Sequence, residues 1–146
     1  MTDRRFLDTN VLVYAFDSHA PLKQRRAQDL LAEALETETG VISTQVLSEF
    51  YVVVTSRVKP ALSSRDAEEI IRQFTGFHTL DIDRAQVMRA IETQRHYAIS
   101  YWDALILAAA ERGRCSVLLS EDLNHGQTYH GIRVVNPFLE SPTDHS

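Results

Sequence analysis

Three glycines, Gly40, Gly76 and Gly113, each stand between a stretch of helical spacing and a short apolar run of strand character. That repeated order of helix, glycine and strand constrains the fold strongly, because parallel neighbouring strands need a crossover connection and a helix supplies it. The chain is therefore expected to be α/β, with a parallel sheet wrapped by helices on both faces. Each glycine is expected to close its helix in a left-handed C-cap.

The elements follow from local patterns. Arg5 to Leu7 reads as a first strand ending at Asp8, and Val11, Leu12, Tyr14 and Ala15 begin a helical pattern. Pro21 suits the first turn of a helix whose apolar face is Leu22, Ala27, Leu30, Leu31, Ala34 and Leu35. Val41 and Ile42 form a second strand, and Thr44 to about Arg57 returns to helical spacing with Glu49 at the edge of its apolar stripe. Ser63 with Asp66 reads as a capping box, Phe77 to Ile82 as a strand, and Asp83 as the cap of the next helix. Ser100 with Asp103 opens a helix apolar nearly all round from Trp102 through Ala110, which is expected to be the buried central one. Ser116 to Leu119 and Ile132 to Val135 supply the last strands.

A chain of 146 residues with 44% hydrophobic and 24% charged side chains suits one globular domain, here residues 1–139, followed by a polar tail at 140–146 expected to be loose. Cys115 is the only cysteine, which excludes a disulfide framework and a thiolate zinc site and fits a reducing cytosol. The six histidines lack ligand spacing, and the longest apolar segment, Tyr101 to Ala110, contains Asp103, so no membrane span and a cytoplasmic protein are expected. A net charge of -5 argues against general nucleic-acid binding. Yet thirteen of the fifteen basic residues are Arg, and they cluster locally: Arg4 with Arg5, Lys23 with Arg25 and Arg26, Arg57 with Lys59. Such clusters suit phosphate contacts, or they are ordinary solvated helix ends.

Four acids, Asp8, Glu49, Asp103 and Asp122, fall where these elements begin or end, beside residues that should be buried. A carboxylate so placed must be neutralised, paired or bound to a cation. In an open parallel sheet ligands bind beyond the carboxyl ends of the strands, which is where Asp8 and Asp122 emerge and toward which Glu49 and Asp103 can project. Clustered carboxylates repel one another unless cations hold them, and oxygen-only ligation selects Mg²⁺ or Mn²⁺. Thr9, Asn10 and Ser120 stand beside these acids and could support the carboxylates or metal-bound water. Each residue also has a plainer role: Asp8 as a helix cap, Asp103 as the acid of the S-x-x-D box, Glu49 as a solvated helix residue, Asp122 as a loop acid, and Thr9, Asn10 and Ser120 as turn residues. Glu121 competes with Asp122 for the fourth position.

The motifs LDTNVLVY at 7–14, LSEF at 47–50, YWDALILAAA at 101–110, LLSEDLNHGQ at 118–127 and VVNPF at 134–138 resemble, in order and spacing, those of a PIN domain. The similarity is closest to VapC-type toxin ribonucleases. The resemblance implies a three-layer α/β/α fold with a five-stranded parallel sheet and Mg²⁺- or Mn²⁺-dependent cleavage of RNA. It also implies inhibition by a cognate antitoxin, homodimerisation, and an acidic set at Asp8, Glu49, Asp103 and Asp122 accompanied by Thr9 and Ser120. One or two ions would activate water for in-line attack, two of them lying about 3.5 to 4 Å apart. Rival readings are a non-catalytic RNA- or protein-binding PIN-like module, a haloacid-dehalogenase-like phosphatase and a phospho-receiver. The phosphatase would want a second Asp where this chain has Asn10, and both phospho-Asp classes want a late Lys, whereas the only lysines are Lys23 and Lys59.

Overall fold

The computed structural model describes residues 3–139. The tail expected at 140–146 lies outside the described residues. Among the described residues six strands form one sheet: β1 (Arg4–Leu7), β2 (Gly40–Ser43), β3 (His78–Leu80), β4 (Cys115–Leu119), β5 (Thr128–Tyr129) and β6 (Ile132–Val135). Their order is β3-β2-β1-β4-β6-β5, and all pair in parallel except β5, which runs antiparallel to β6. The helices are α1 (Thr9–Tyr14), α2 (Pro21–Glu36), α3 (Thr44–Ser56), α4 (Ser64–Gln73), α5 (Arg84–Tyr97) and α6 (Tyr101–Arg112).

The five parallel strands are those expected, and the sixth is a correction. Tyr129 pairs with Ile132 across a two-residue turn in which His130 and Gly131 both have positive φ, 51° and 80°. Two left-handed residues are what a tight hairpin with the twist of its strands demands.

A second correction concerns the three glycines. Among the described residues none of them has positive φ; the left-handed conformation falls instead on Glu38 and Arg114, beside Gly40 and Gly113. What the glycines supply is the absence of a side chain. A Cβ at Gly40 would lie 2.5 Å from Phe77 Cδ1, one at Gly76 2.6 Å from Leu35 Cδ2, and one at Gly113 2.9 Å from Val41 Cγ1. The seam between helices and sheet closes onto bare backbone.

The core lies between sheet and helices. Phe6 and Leu7 of β1, Val41 and Ile42 of β2, and Leu118 of β4 are all fully buried against Val46, Phe50 and Val54 of α3 and Leu107 of α6. Each such large side chain stabilises the fold by roughly 1.5–3 kcal/mol through loss of contact with water. Residues 104–110 of α6 are buried without interruption, as its apolar sequence predicts, but Trp102 at its start is 65% exposed. Ser43, Ser63, Asp83 and Ser100 each accept a backbone N–H and so start α3, α4, α5 and α6. Among the described residues no helix is long and apolar enough to cross a membrane.

Candidate functional site

The strand order reverses direction between β1 and β4, so chain leaving the carboxyl ends of these two neighbours diverges and opens a crevice. Asp8 leaves β1 at that point and Ser120 to Asp122 leave β4. Glu49 reaches the crevice from α3, and Asp103 from the first turn of α6.

Asp8 is the most enclosed of the four acids, only 5% exposed. Its Oδ1 accepts the Thr9 N–H at 2.7 Å, capping α1, and its Oδ2 accepts the Ser120 hydroxyl at 2.6 Å. The helix-cap role foreseen for Asp8 is therefore real, yet it leaves the charge uncompensated. Burial pushes its pKa up to about 7 against those two hydrogen bonds, with the charges of Asp122 and Glu49 adding to the rise.

The other acids feel one another. Partial burial raises Glu49, opposed by Gln45 and reinforced by Asp103 and Asp122. Asp122 is open to solvent as a residue, but reduced hydration at its carboxyl and then the charge of Asp103 raise it, with Asn10 working the other way. Asp8 is thus coupled to Glu49 and Asp122, and both of these to Asp103. The S-x-x-D box satisfies only the backbone here: Ser100 Oγ accepts the Asp103 N–H at 3.1 Å, and among the described residues the Asp103 carboxylate accepts no hydrogen bond and has no basic partner.

Glu121 is engaged elsewhere. Lys23 Nζ lies 2.6 Å from its Oε2, and the Tyr14 hydroxyl donates to its Oε1 at 2.8 Å. Partial burial opposes ionisation of Glu121, but these two donors prevail and hold the carboxyl below its ordinary range. The Asp122 backbone N–H instead donates to Ser120 Oγ, the same hydroxyl that serves Asp8. The adjacent acids therefore diverge, Glu121 to a cation and Asp122 to the other carboxylates.

Several polar atoms around this crevice are buried and without a hydrogen-bond partner among the described residues: Thr9 Oγ1, Asn10 Nδ2, Gln45 Oε1 and Glu49 Oε1. Buried polar atoms are rarely left so, and their concentration here marks groups arranged for something other than one another. Among the described residues no three acidic, histidine or cysteine side chains already lie close enough to enclose an ion alone. The donors are all oxygens, which suits a hard cation such as Mg²⁺, held by one or two carboxylates with water filling its remaining positions. Thiol chemistry is absent from the crevice, since Cys115 opens β4 at its far end and burial pushes its thiol up to about 12.

Two cavities meet along α3. One, of about 880 Å³, follows its C-terminal half and includes Thr9, Asn10, Glu49, Val52, Arg57, Lys59 and Asp122. The other, of about 520 Å³, lies at its N-terminal half between Thr44, Gln45, Ile82 and Trp102. Ser48 and Glu49 line both. Sequence reasoning found the acids and noted Arg57 with Lys59 as one of several basic clusters, but assigned Trp102 to the core. The signal for Trp102 lay in its position beside Asp103, at the helix end that faces the crevice.

The model of the PIN domain matches residues 5–130, most of the chain. The chain belongs to the PIN domain family. Solved structures of similar fold include a toxin-antitoxin complex from Klebsiella pneumoniae, 22% identical, with TM-score 0.66, covering 92% of this chain and 98% of that one. Another is the DNA-bound VapBC of Salmonella typhimurium, 18% identical, TM-score 0.64, covering 91% of this chain and 97% of that one. A third is VapC20 of Mycobacterium tuberculosis, described as a toxin that cleaves the sarcin-ricin loop, 17% identical, TM-score 0.58, covering 81% of this chain and 91% of that one. No curated protein matches the chain by sequence. The PIN fold thus accounts for the crevice between β1 and β4 and for the five parallel strands.

Proposed function

We propose that this PIN domain is an endoribonuclease dependent on Mg²⁺ or Mn²⁺, the toxin of a toxin-antitoxin pair, acting in the cytoplasm as a homodimer and restrained by a cognate antitoxin. The observation that carries this reading is the coupling of Asp8, Glu49, Asp103 and Asp122 around one crevice with no basic partner among the described residues. The toxin-antitoxin assemblies among proteins of similar fold support the biological context, and the cleavage activity named for VapC20 supports RNA as the substrate class.

A divalent cation bound here would supply Lewis acidity, activating water and offsetting charge on the phosphate. Asp8 and Asp103 would hold it, with Glu49 and Asp122 completing the oxygen shell or aiding a second ion. Ser120 and the Thr9 N–H fix the Asp8 carboxylate so that it need not reorient when the ion arrives. Asn10 lies close to the Asp122 carboxyl and Gln45 close to Glu49, so an amide stands beside each of these two acids.

The phosphatase reading fares worse. Position 10 is Asn, and Lys23 is bound to Glu121 and Tyr14 rather than to Asp8.

The test is Asp8→Asn, which removes a ligand charge at nearly constant shape. It is expected to abolish both Mn²⁺ binding, measured calorimetrically, and cleavage of RNA, while the circular dichroism spectrum stays that of the parent. Products of the parent should carry 5′-phosphate and 3′-hydroxyl ends. Full activity in purified Asp8→Asn refutes the assignment, and 2′,3′-cyclic phosphate ends refute attack by water.

A further inference from the structure

The two cavities share Glu49 and run along α3, with different chemistry at their ends. At one end stands Trp102, 65% exposed, a large aromatic ring whose burial would ordinarily stabilise the fold. Its backbone carbonyl accepts from Gln45 Nε2 at 3.2 Å and its ring meets Tyr101 edge-to-face at 5.2 Å, so the side chain stands on a supported base. At the other end stand Arg57 and Lys59, both exposed and, among the described residues, without an acidic partner. Glu49 and the other carboxylates lie between. From Gln45 to Arg57 the helix advances about 18 Å, enough for a few nucleotides.

We propose that α3 is a rail along which an unpaired RNA strand is laid across the acidic crevice, one base stacked on Trp102 and the backbone phosphates on the far side held by Arg57 and Lys59. The proposal rests on the nuclease reading and specifies its substrate as single-stranded at the point of contact. An aromatic face reads a base only when that base is unstacked, and stacking of this kind tolerates any sequence. The cations at the other end answer a second need. A protein of net charge -5 repels RNA on average, so capture requires local positive charge beside the acids. An apolar protein segment would also find Trp102 and Val52 attractive, but it would gain nothing from two unpaired cations at the end of the groove.

Trp102 is the only tryptophan, so its fluorescence reports on this site alone. The experiment titrates the protein with a nine-nucleotide RNA lacking self-complementarity and, separately, with the same strand annealed to its complement. Both are run in calcium, with the RNA checked on a gel for integrity. The single strand is expected to quench Trp102 and to bind at least roughly tenfold more tightly than the duplex. Trp102→Ala should weaken single-strand binding roughly tenfold to a hundredfold, and Trp102→Phe should recover most of the loss, which a merely structural role would not produce. The double variant Arg57→Gln with Lys59→Gln should flatten the dependence of log affinity on log salt by about 1.4, two phosphates at roughly 0.7 each.

Equal affinity for duplex and single strand, or unchanged RNA binding by Trp102→Ala, overturns the rail even if cleavage by the parent and its loss in Asp8→Asn hold. Emission that responds only to protein concentration, with sedimentation showing a second copy seated on the ring, overturns it as well. Quenching and strand preference in a protein that no divalent ion makes cleave RNA would uphold the rail and remove the nuclease reading.

Discussion

Two regions of this protein gather acids, and they treat them in opposite ways. Where α5, α6 and the β5–β6 turn meet, Arg89 forks onto Glu111 with contacts of 2.8 and 3.0 Å, touches Glu92, and lies 3.2 Å from His130 Nδ1. Its hydrogen bonds with Glu111 outweigh partial burial and hold that carboxyl below its ordinary range. Arg112 does the same for Asp83 from the neighbouring turn of α6. In the crevice, by contrast, Asp8, Glu49 and Asp122 are all pushed up, and among the described residues no basic side chain pairs with them. The first region is complete when the chain has folded. The second leaves its carboxylates without a counter-charge from the protein, so that their ionised forms are disfavoured.

The sharpest way to break this contrast is to remove one carboxylate from each region. Asp103→Asn is expected to lower RNA cleavage at least about a thousandfold, a rise of roughly 4 kcal/mol in the barrier. Glu111→Gln should leave the rate within about twofold, and a comparable loss in both would erase the distinction.

Ser120→Ala probes the support behind Asp8. The buried hydroxyl serves both Asp8 Oδ2 and the Asp122 N–H, so its loss should weaken Mn²⁺ binding roughly 10- to 100-fold with little change in the circular dichroism spectrum. Calorimetric titration at pH 7.5 would measure it.

Proton linkage gives the next effect. The Asp8 carboxyl ionises near 3.8 in the unfolded chain and near 7 in the native protein, so between those values the native state holds the extra proton. The Asp8 contribution to stability without metal should therefore fall as pH rises through that interval and level off above about 7. Asp8→Asn is expected to be more stable than the parent at pH 8 in chelator, by roughly 1 to 4 kcal/mol at about 1.4 kcal/mol per tenfold change in acidity, and nearly equal to it at pH 4. An Asp8→Asn variant that gains nothing over the parent between pH 4 and pH 8 in chelator would contradict the strain assigned to Asp8.

The smallest effect belongs to the paired region. Arg89→Gln should cost about 1 to 2 kcal/mol of stability in urea unfolding, the worth of charged hydrogen bonds discounted because both partners are about a third exposed. Its cleavage rate should be unaffected.

Much of this was legible from residues alone, and the exceptions have physical reasons. The strand Cys115–Leu119 stands out because a buried parallel strand is a nearly continuous apolar run, and Ile132–Val135 because Arg133 alone interrupts one. Ser63, Asp83 and Ser100 announce their helices because a cap is a local hydrogen bond within four residues. The strand Thr128–Tyr129 escaped because two residues carry no periodicity, and its existence depends on the backbone of His130 and Gly131. Gly40 and Gly113 were assigned left-handed backbone, but their need arises from Phe77 and Val41, partners that no local pattern names. The divergence of Glu121 from Asp122 was hidden for the same reason, since Lys23 and Tyr14, about a hundred positions away, decide it. Trp102 reads as core because its apolar neighbours in α6 do, and only the tertiary structure shows that the helix begins outside the packed layer.

Asp8 is bonded to Ser120, and its own backbone N–H donates to Leu119 across the sheet. β4 enters between β1 and β6, so the middle of the sheet is filled by a strand that is made only after β1, β2 and β3. A ribosome that stalls before that segment emerges releases a product with the early acids but no partner strand to seat them. Copies that end before β4 therefore lack the assembled crevice, which forms only once that strand is in place.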